Sequence, residues 1–117
     1  MKPYHGLIAW QRANEFTLEV YRMTKAFPKE ELYGITSQLR RASVSVPTNL
    51  VEGYARRGKK EWRRYITIAD ASLTECEYLM ELSLALGYLQ QEDYNSLEAI
   101  RAKTSFLLGK LRQSLVC

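Results

Sequence analysis

The sequence has almost no histidine. His5 is the only one, and it stands among the first six residues, so the chain cannot assemble an imidazole-based metal cage, and His5 is poorly placed to serve as a general base. The Glu-x-x-His pairs of di-metal helical bundles are excluded for the same reason. Cysteine is scarce too. Cys76 lies inside a strongly periodic stretch and Cys117 is the last residue, a placement that argues against a structural disulfide and for Cys76 as a small buried hydrophobe. The six glycines are isolated, so no phosphate-cradling loop is present. Glu75, Glu77 and Glu81 read as a solvated face. No metal, no cofactor and no enzymatic activity are expected.

Long apolar runs are missing as well. No uncharged run is longer than Leu82 to Gln91, about half the length a bilayer-crossing helix needs. The N-terminus, Met-Lys-Pro-Tyr-His-Gly, lacks the apolar core and cleavage site of a secretory signal. A cytoplasmic protein without a membrane role is the expectation.

What is present fits one globular domain: 117 residues, 46% hydrophobic and 26% charged. No repeat or Pro/Gly-rich linker divides it, so residues 1–117 read as a single domain with residues 1–6 as an extended lead-in. The central stretch is Thr36 to Arg57, which carries small residues, cations at both ends and Pro47 in the middle. A proline inside a helix removes one donor and crowds the carbonyl four residues back, here Ser43, at a cost of about 3 kcal/mol. Two readings stay open: one bent helix clasped by neighbours, or two short helices meeting near Val46.

Around that stretch lie three amphipathic segments. Leu7, Trp10, Ala13, Thr17, Val20 and Thr24 recur at helical spacing, with Phe16, Met23 and Phe27 widening the apolar face until Pro28. Thr36 or Ser37 is placed to cap the next helix, in which Leu39, Ala42, Val46, Asn49 and Gly53 share a side. From Lys59 to Leu86, three heptad series run side by side: Trp62, Ala69, Cys76, Ser83; Tyr65, Ser72, Leu79, Leu86; and Ile66, Leu73, Met80. Such a period is the signature of bundle packing. Asp70, Glu77 and Glu81 fall on what reads as its outer face. Gly87 suits a C-cap, and Leu97, Ile100, Thr104, Leu107, Leu111 and Leu115 line a last helix. The fold class is all-α: an antiparallel up-down-up-down four-helix bundle with a proline-kinked second helix.

Charge is unevenly placed. Residues 1–64 carry thirteen Lys/Arg against six Asp/Glu, and residues 65–117 four against seven. Arg56, Arg57, Lys59, Lys60, Arg63 and Arg64 cluster at the junction of the second and third helices, relieved in part by Glu52 and Glu61. Lys59 with Arg63 and Lys60 with Arg64 are like-charge i,i+4 pairs, near the positive end of the third helix, so each is unfavourable twice over. A phosphate backbone relieves both penalties. Arg40 and Arg41 form a second cationic pair, whose plainer role is a salt bridge across helices. Tyr54, Trp62 and Tyr65 interleave with the cations, but periodicity assigns Trp62 and Tyr65 to the core stripe.

The segments Leu7-Ile-Ala-Trp-Gln-Arg-Ala13, Gly34-Ile-Thr-Ser-Gln-Leu-Arg-Arg-Ala42 and Val46-Pro-Thr-Asn-Leu-Val-Glu-Gly-Tyr-Ala-Arg-Arg-Gly-Lys-Lys-Glu-Trp62 resemble a bacterial four-helix-bundle family. That family is named for proteins encoded in intervening sequences of 23S ribosomal RNA genes, and the resemblance spans Leu7 to about Leu115. It departs from the family's usual residues at Ile8, Val51, Ala55 and Gly58. The resemblance implies a ring-shaped homo-oligomer, a homopentamer, and no catalytic residues. It also implies a similarity to the accessory bundle of diversity-generating retroelements, which binds nucleic acid through basic surfaces and partners a reverse transcriptase.

Together these features lead to a non-enzymatic oligomer that binds RNA, or nucleic acid generally, through Arg56 to Arg64 with help from Arg40 and Arg41. The rival is a protein-interaction scaffold that spends those charges on subunit contacts or on a partner protein.

Overall fold

Each apolar stripe is buried by a helix. In the computed structural model, which describes residues 1–116, the helices are α1 (Ile8–Thr24), α2 (Ile35–Ala55), α3 (Lys59–Ala85) and α4 (Gln91–Ser114). Short 3-10 turns form at Pro3–Gly6 and Lys29–Glu31, and no strand occurs among the described residues. Cross-helix pairs fix the directions. Thr17 of α1 meets Ser43 of α2 while Thr24 meets Arg40. Ser45 of α2 meets Ser72 of α3. Asp70 and Glu77 of α3 meet Arg112 and Arg101 of α4. Every successive helix therefore runs against the one before it, and α4 closes on α1. The bundle is 45 Å long, about the length of the 27 residues of α3 at 1.5 Å each.

Of the two readings open at Pro47, the single helix forms: α2 is continuous through a buried Pro47. Val46 and Leu50 beside it are shut from solvent and meet Phe16 and Val20 of α1, Ile66, Leu73 and Met80 of α3, and Leu97 and Leu108 of α4 in one core. Two of the three heptad series hold. Ala69, Cys76, Ser83 and Ile66, Leu73, Met80 are buried, whereas the remaining series is mixed: Leu79 is buried, Tyr65 and Ser72 are half-buried and Leu86 is 49% exposed. A straight helix drifts about 20° per heptad against a strict 3.5 repeat, so a series at the edge of the stripe is not buried along its whole length.

Three boundaries differ from expectation. The lead-in is not extended: Pro3 starts a 3-10 turn whose Tyr4 and His5 rings lie 5.1 and 4.9 Å from the Trp10 ring. Trp10 gives these rings an apolar surface, and Gln11 Nε2 donates to His5 O at 2.7 Å. The cap of α2 is not Thr36 or Ser37. The helix begins at Ile35 after Gly34, and Glu31 reaches back to the Ile35 N–H at 3.5 Å. Glu31 is in turn anchored by the Tyr88 hydroxyl, which donates to it at 2.9 Å. Asp70 and Glu77 do not lie on an outer face; both sit half-buried on the seam with α4. The C-terminus of α3 follows the expected pattern: Gly87 takes φ +80°, Tyr88 N–H donates to Ser83 O and Gly87 N–H to Leu84 O, a Schellman motif.

Candidate nucleic-acid interface

The basic end of the bundle is built by a tight join. α2 stops at Ala55, α3 starts at Lys59, and Gly58 between them takes φ +90°, which a side chain resists. The two helices then press together at Gly53. A Cβ there would lie 2.5 Å from Trp62 Cε3 and 2.6 Å from Tyr65 Cβ. Lacking one, Gly53 lets Trp62 lie over α2, packed against the core and edge-on to Tyr54 at 6.0 Å. Trp62 thus goes where its periodicity pointed. Tyr65 does not: its ring is half-buried, with the Arg56 and Arg64 guanidinium carbons 5.3 and 4.7 Å from its centroid. Two cations already occupy that ring, which leaves exposed Tyr54 as the accessible aromatic at this end.

The eight cations singled out in the sequence have different environments. Arg56 pairs with Glu52 at 3.4 Å and Arg64 with Glu61 at 3.1 Å, both on the surface, where such pairs are worth about 0–1 kcal/mol. Hydrogen bonding from Arg64 holds the Glu61 carboxyl below the usual carboxylate range, and the fields of Arg64, Arg56 and Lys60 act in the same direction. Arg63 turns inward and donates to the carbonyl of Leu115 at 3.3 Å, placing a cation at the C-terminus of α4, where the helix dipole favours one. Arg57, Lys59 and Lys60 are exposed, with no hydrogen bond or ion pair among the described residues.

Arg40 and Arg41 are not brought to this cluster. Arg56 follows the end of α2, fifteen positions beyond Arg41, about 22 Å at the helical rise. Arg40 is half-buried, donating Nε–H to Thr24 Oγ1 at 2.8 Å and lying 5.0 Å from the Tyr21 ring centroid. Arg41 is exposed beside Tyr21, Val44 and Thr48, which line a shallow 390 Å³ depression on the α1–α2 face.

One cation that matters to the fold escaped the sequence reading. Arg101 has a side chain only 12% exposed and bridges Glu98 at 2.6 Å and Glu77 at 3.2 Å, pinning α4 to α3. Its i,i+3 spacing from Glu98 was the available signal. Cys76 is buried on the same side of α3, and burial pushes its thiol up to about 12. Groups of three or more metal-ligating side chains are absent among the described residues. No helix there is long and apolar enough to cross a membrane.

A sequence model of the 23S rRNA-intervening sequence protein family matches residues 5–110. The chain belongs to that family. Its fold is similar to the 1.70 Å crystal structure of a protein of unknown function from the S23 ribosomal protein family of Bacteroides thetaiotaomicron VPI-5482. The two superpose with a TM-score of 0.83 at 20% identity, over 90% of this chain and 98% of that one. At that identity the likeness shows the fold alone. No curated protein matches the sequence. The family is thus a helical bundle of unknown function, and the basic end has to be interpreted from its own chemistry.

Proposed function

We propose that this family member is a non-enzymatic, cytoplasmic nucleic-acid-binding bundle that contacts phosphates through Arg57, Lys59 and Lys60. Arg56 and Arg64 flank the contact. The observation carrying this reading is that three exposed cations without partners, Arg57 just before α3 and Lys59 and Lys60 in its first turn, crowd the end of the helix where the dipole is already positive. Glu61 is the one carboxylate in that turn and it is paired with Arg64, so phosphates relieve the repulsion that remains. With Tyr65 covered and Trp62 packed on the core, Tyr54 is the one aromatic left for base stacking at this end, so recognition is mainly by backbone. Arg63 contributes to the fold of this end rather than to the contact. Arg40 and Arg41 belong to a different surface.

Three cations per chain bind weakly. A homo-oligomeric ring, the pentamer implied by the family resemblance, multiplies them by avidity. The test is fluorescence anisotropy with a labelled RNA at low salt, beside light scattering and absorbance at 260 nm of the purified protein. Binding that disappears in the Arg57→Ala, Lys59→Ala, Lys60→Ala variant supports the reading, and binding unchanged by those substitutions refutes it.

A second reading, a scaffold for copies of the chain or a partner protein, draws on the α1–α2 face. There Leu18, Tyr21 and Val44 are exposed beside Arg41. Exposed apolar patches of this kind mark contact surfaces. In that reading Arg41 is consumed in a subunit contact while the Arg57–Lys60 end stays open.

A further inference from the structure

The opposite end of α2 holds a feature that the nucleic-acid reading does not use. Where α1 hands over to α2, the chain leaves a cavity of about 430 Å³, within the range of small-ligand sites. Phe27 and Leu32 give it apolar walls, Lys29 and Arg40 bring cations, and Thr24 and Thr36 complete the lining with Lys25 and Pro28 beside them. No carboxylate lines it. None of its three cations has an ion-pair partner among the described residues.

Arg40 is oriented by its surroundings. The Thr24 hydroxyl spends its proton on Val20 O at 2.7 Å and so accepts from Arg40 Nε at 2.8 Å. Tyr21 supports the guanidinium from one side. The terminal N–H groups of Arg40 have no protein partner among the described residues. Thr36 supplies an independent sign. It is 3% exposed, and its Oγ1 is the one buried side-chain polar atom among the described residues without a hydrogen bond. Threonines in helices ordinarily bond back to the carbonyl one turn earlier. Thr17, Thr24, Thr67, Thr74 and Thr104 all lie within bonding distance of that carbonyl; Thr48 and Thr36 do not, and of these two only Thr36, in the first turn of α2, is buried. Thr36 thus brings a buried, unpartnered hydroxyl to the residues that line this cation-bearing cavity, and such a group calls for a partner.

We infer that this cavity binds a small organic anion, a single carboxylate or phosphate monoester carried on a short apolar body. The anionic head sits between Arg40 and Lys29 and takes the Thr36 hydroxyl as a further donor. The body lies on Phe27 and Leu32. The site is twenty residues along α2 from Arg56, so it stands whether or not the basic end binds nucleic acid.

Isothermal titration of the full chain with hexanoate, hexyl phosphate, hexanol and inorganic phosphate tests this. Saturable binding of hexanoate or hexyl phosphate is expected, with hexanol and inorganic phosphate weaker by about tenfold or more, because each lacks one half of the recognition. Whichever of the two anions binds tighter names the head group. Arg40→Gln and Lys29→Gln should each weaken binding about tenfold, the loss of one charge-assisted contact. Lys29 is exposed, so its variant keeps the fold. Thr36→Val should weaken it as well. Failure of both anions to saturate, hexanol binding as tightly as hexanoate, or an unchanged affinity in Lys29→Gln would overturn the assignment.

Discussion

The Thr17 hydroxyl lies 2.8 Å from the carbonyl oxygen of Ser43. That carbonyl is the acceptor which Pro47, having no N–H, leaves without its helical partner. Thr17 is also 3.1 Å from Ala13 O, but it has one proton, and the shorter contact runs to α2. A neighbouring helix thus supplies the donor that the proline removed, which is how α2 stays continuous through residue 47.

A double-mutant cycle measures this. Thr17→Val leaves a buried acceptor unpaired and should cost about 1–3 kcal/mol in urea denaturation. In a Pro47→Ala background the restored N–H serves Ser43, and the same Thr17→Val change should cost clearly less. Equal costs in the two backgrounds would show that the hydroxyl does not replace the missing donor.

Gly53 and Gly109 should respond to alanine with opposite signs. Both are helical, and Ala is favoured over Gly by about 1 kcal/mol in a helix interior. At Gly109 nothing lies within 4 Å of the added Cβ, so Gly109→Ala should stabilise by up to that amount. At Gly53 the added Cβ meets the Trp62 ring and Tyr65 Cβ, and the latter is fixed to the α3 backbone. Overpacking costs about 1–3 kcal/mol, outweighing propensity, so Gly53→Ala should destabilise. Denaturant midpoints of the two variants check both signs.

How much of this was legible in the sequence depends on whether the partner is local. Pro47 named Ser43 as the stranded carbonyl by counting back four residues, but the donor from Thr17 depends on the register between two helices. Glu52 and Glu61 could be matched to the basic cluster because their spacings from Arg56 and Arg64 are helical. The use of Arg63 could not, since its acceptor is Leu115, 52 residues away. Likewise Asp70 and Glu77 look solvent-facing until α4 brings Arg112 and Arg101 against them. Gly53 could be placed on the inward side of α2 by its spacing, but the Trp62 and Tyr65 pressed against it come from the register of α3. The turn at Pro3–Gly6 was hidden because its stabilising surface is Trp10, which the periodicity assigned wholly to the core.

Cys76 gives a pH dependence. Its folded-state value is raised from 9.0 to about 12 by burial, with the Glu75 charge adding to it. A raised value favours the protonated thiol, so this contribution is complete below pH 9 and is lost as pH climbs towards 12. The hydrogen bond to Glu31 raises Tyr88 in the same direction. Stability should therefore fall through this alkaline window. In a Cys117→Ser background, Cys76 should resist iodoacetamide at pH 8 except at the rate of unfolding, since the thiolate is the nucleophile. Rapid labelling of the folded chain would contradict the burial.

The central claim is that exposed cations at the start of α3 hold phosphates. The most direct measurement is the slope of log affinity against log salt for a single-stranded RNA, in the parent chain and in the Arg57→Ala, Lys59→Ala, Lys60→Ala variant. Each phosphate contact contributes about 0.7 to that slope for a single strand. The account predicts a steep slope in the parent that falls by about two in the variant, three contacts being removed. Equal slopes in the two proteins, or no measurable affinity for RNA at low salt, would contradict it.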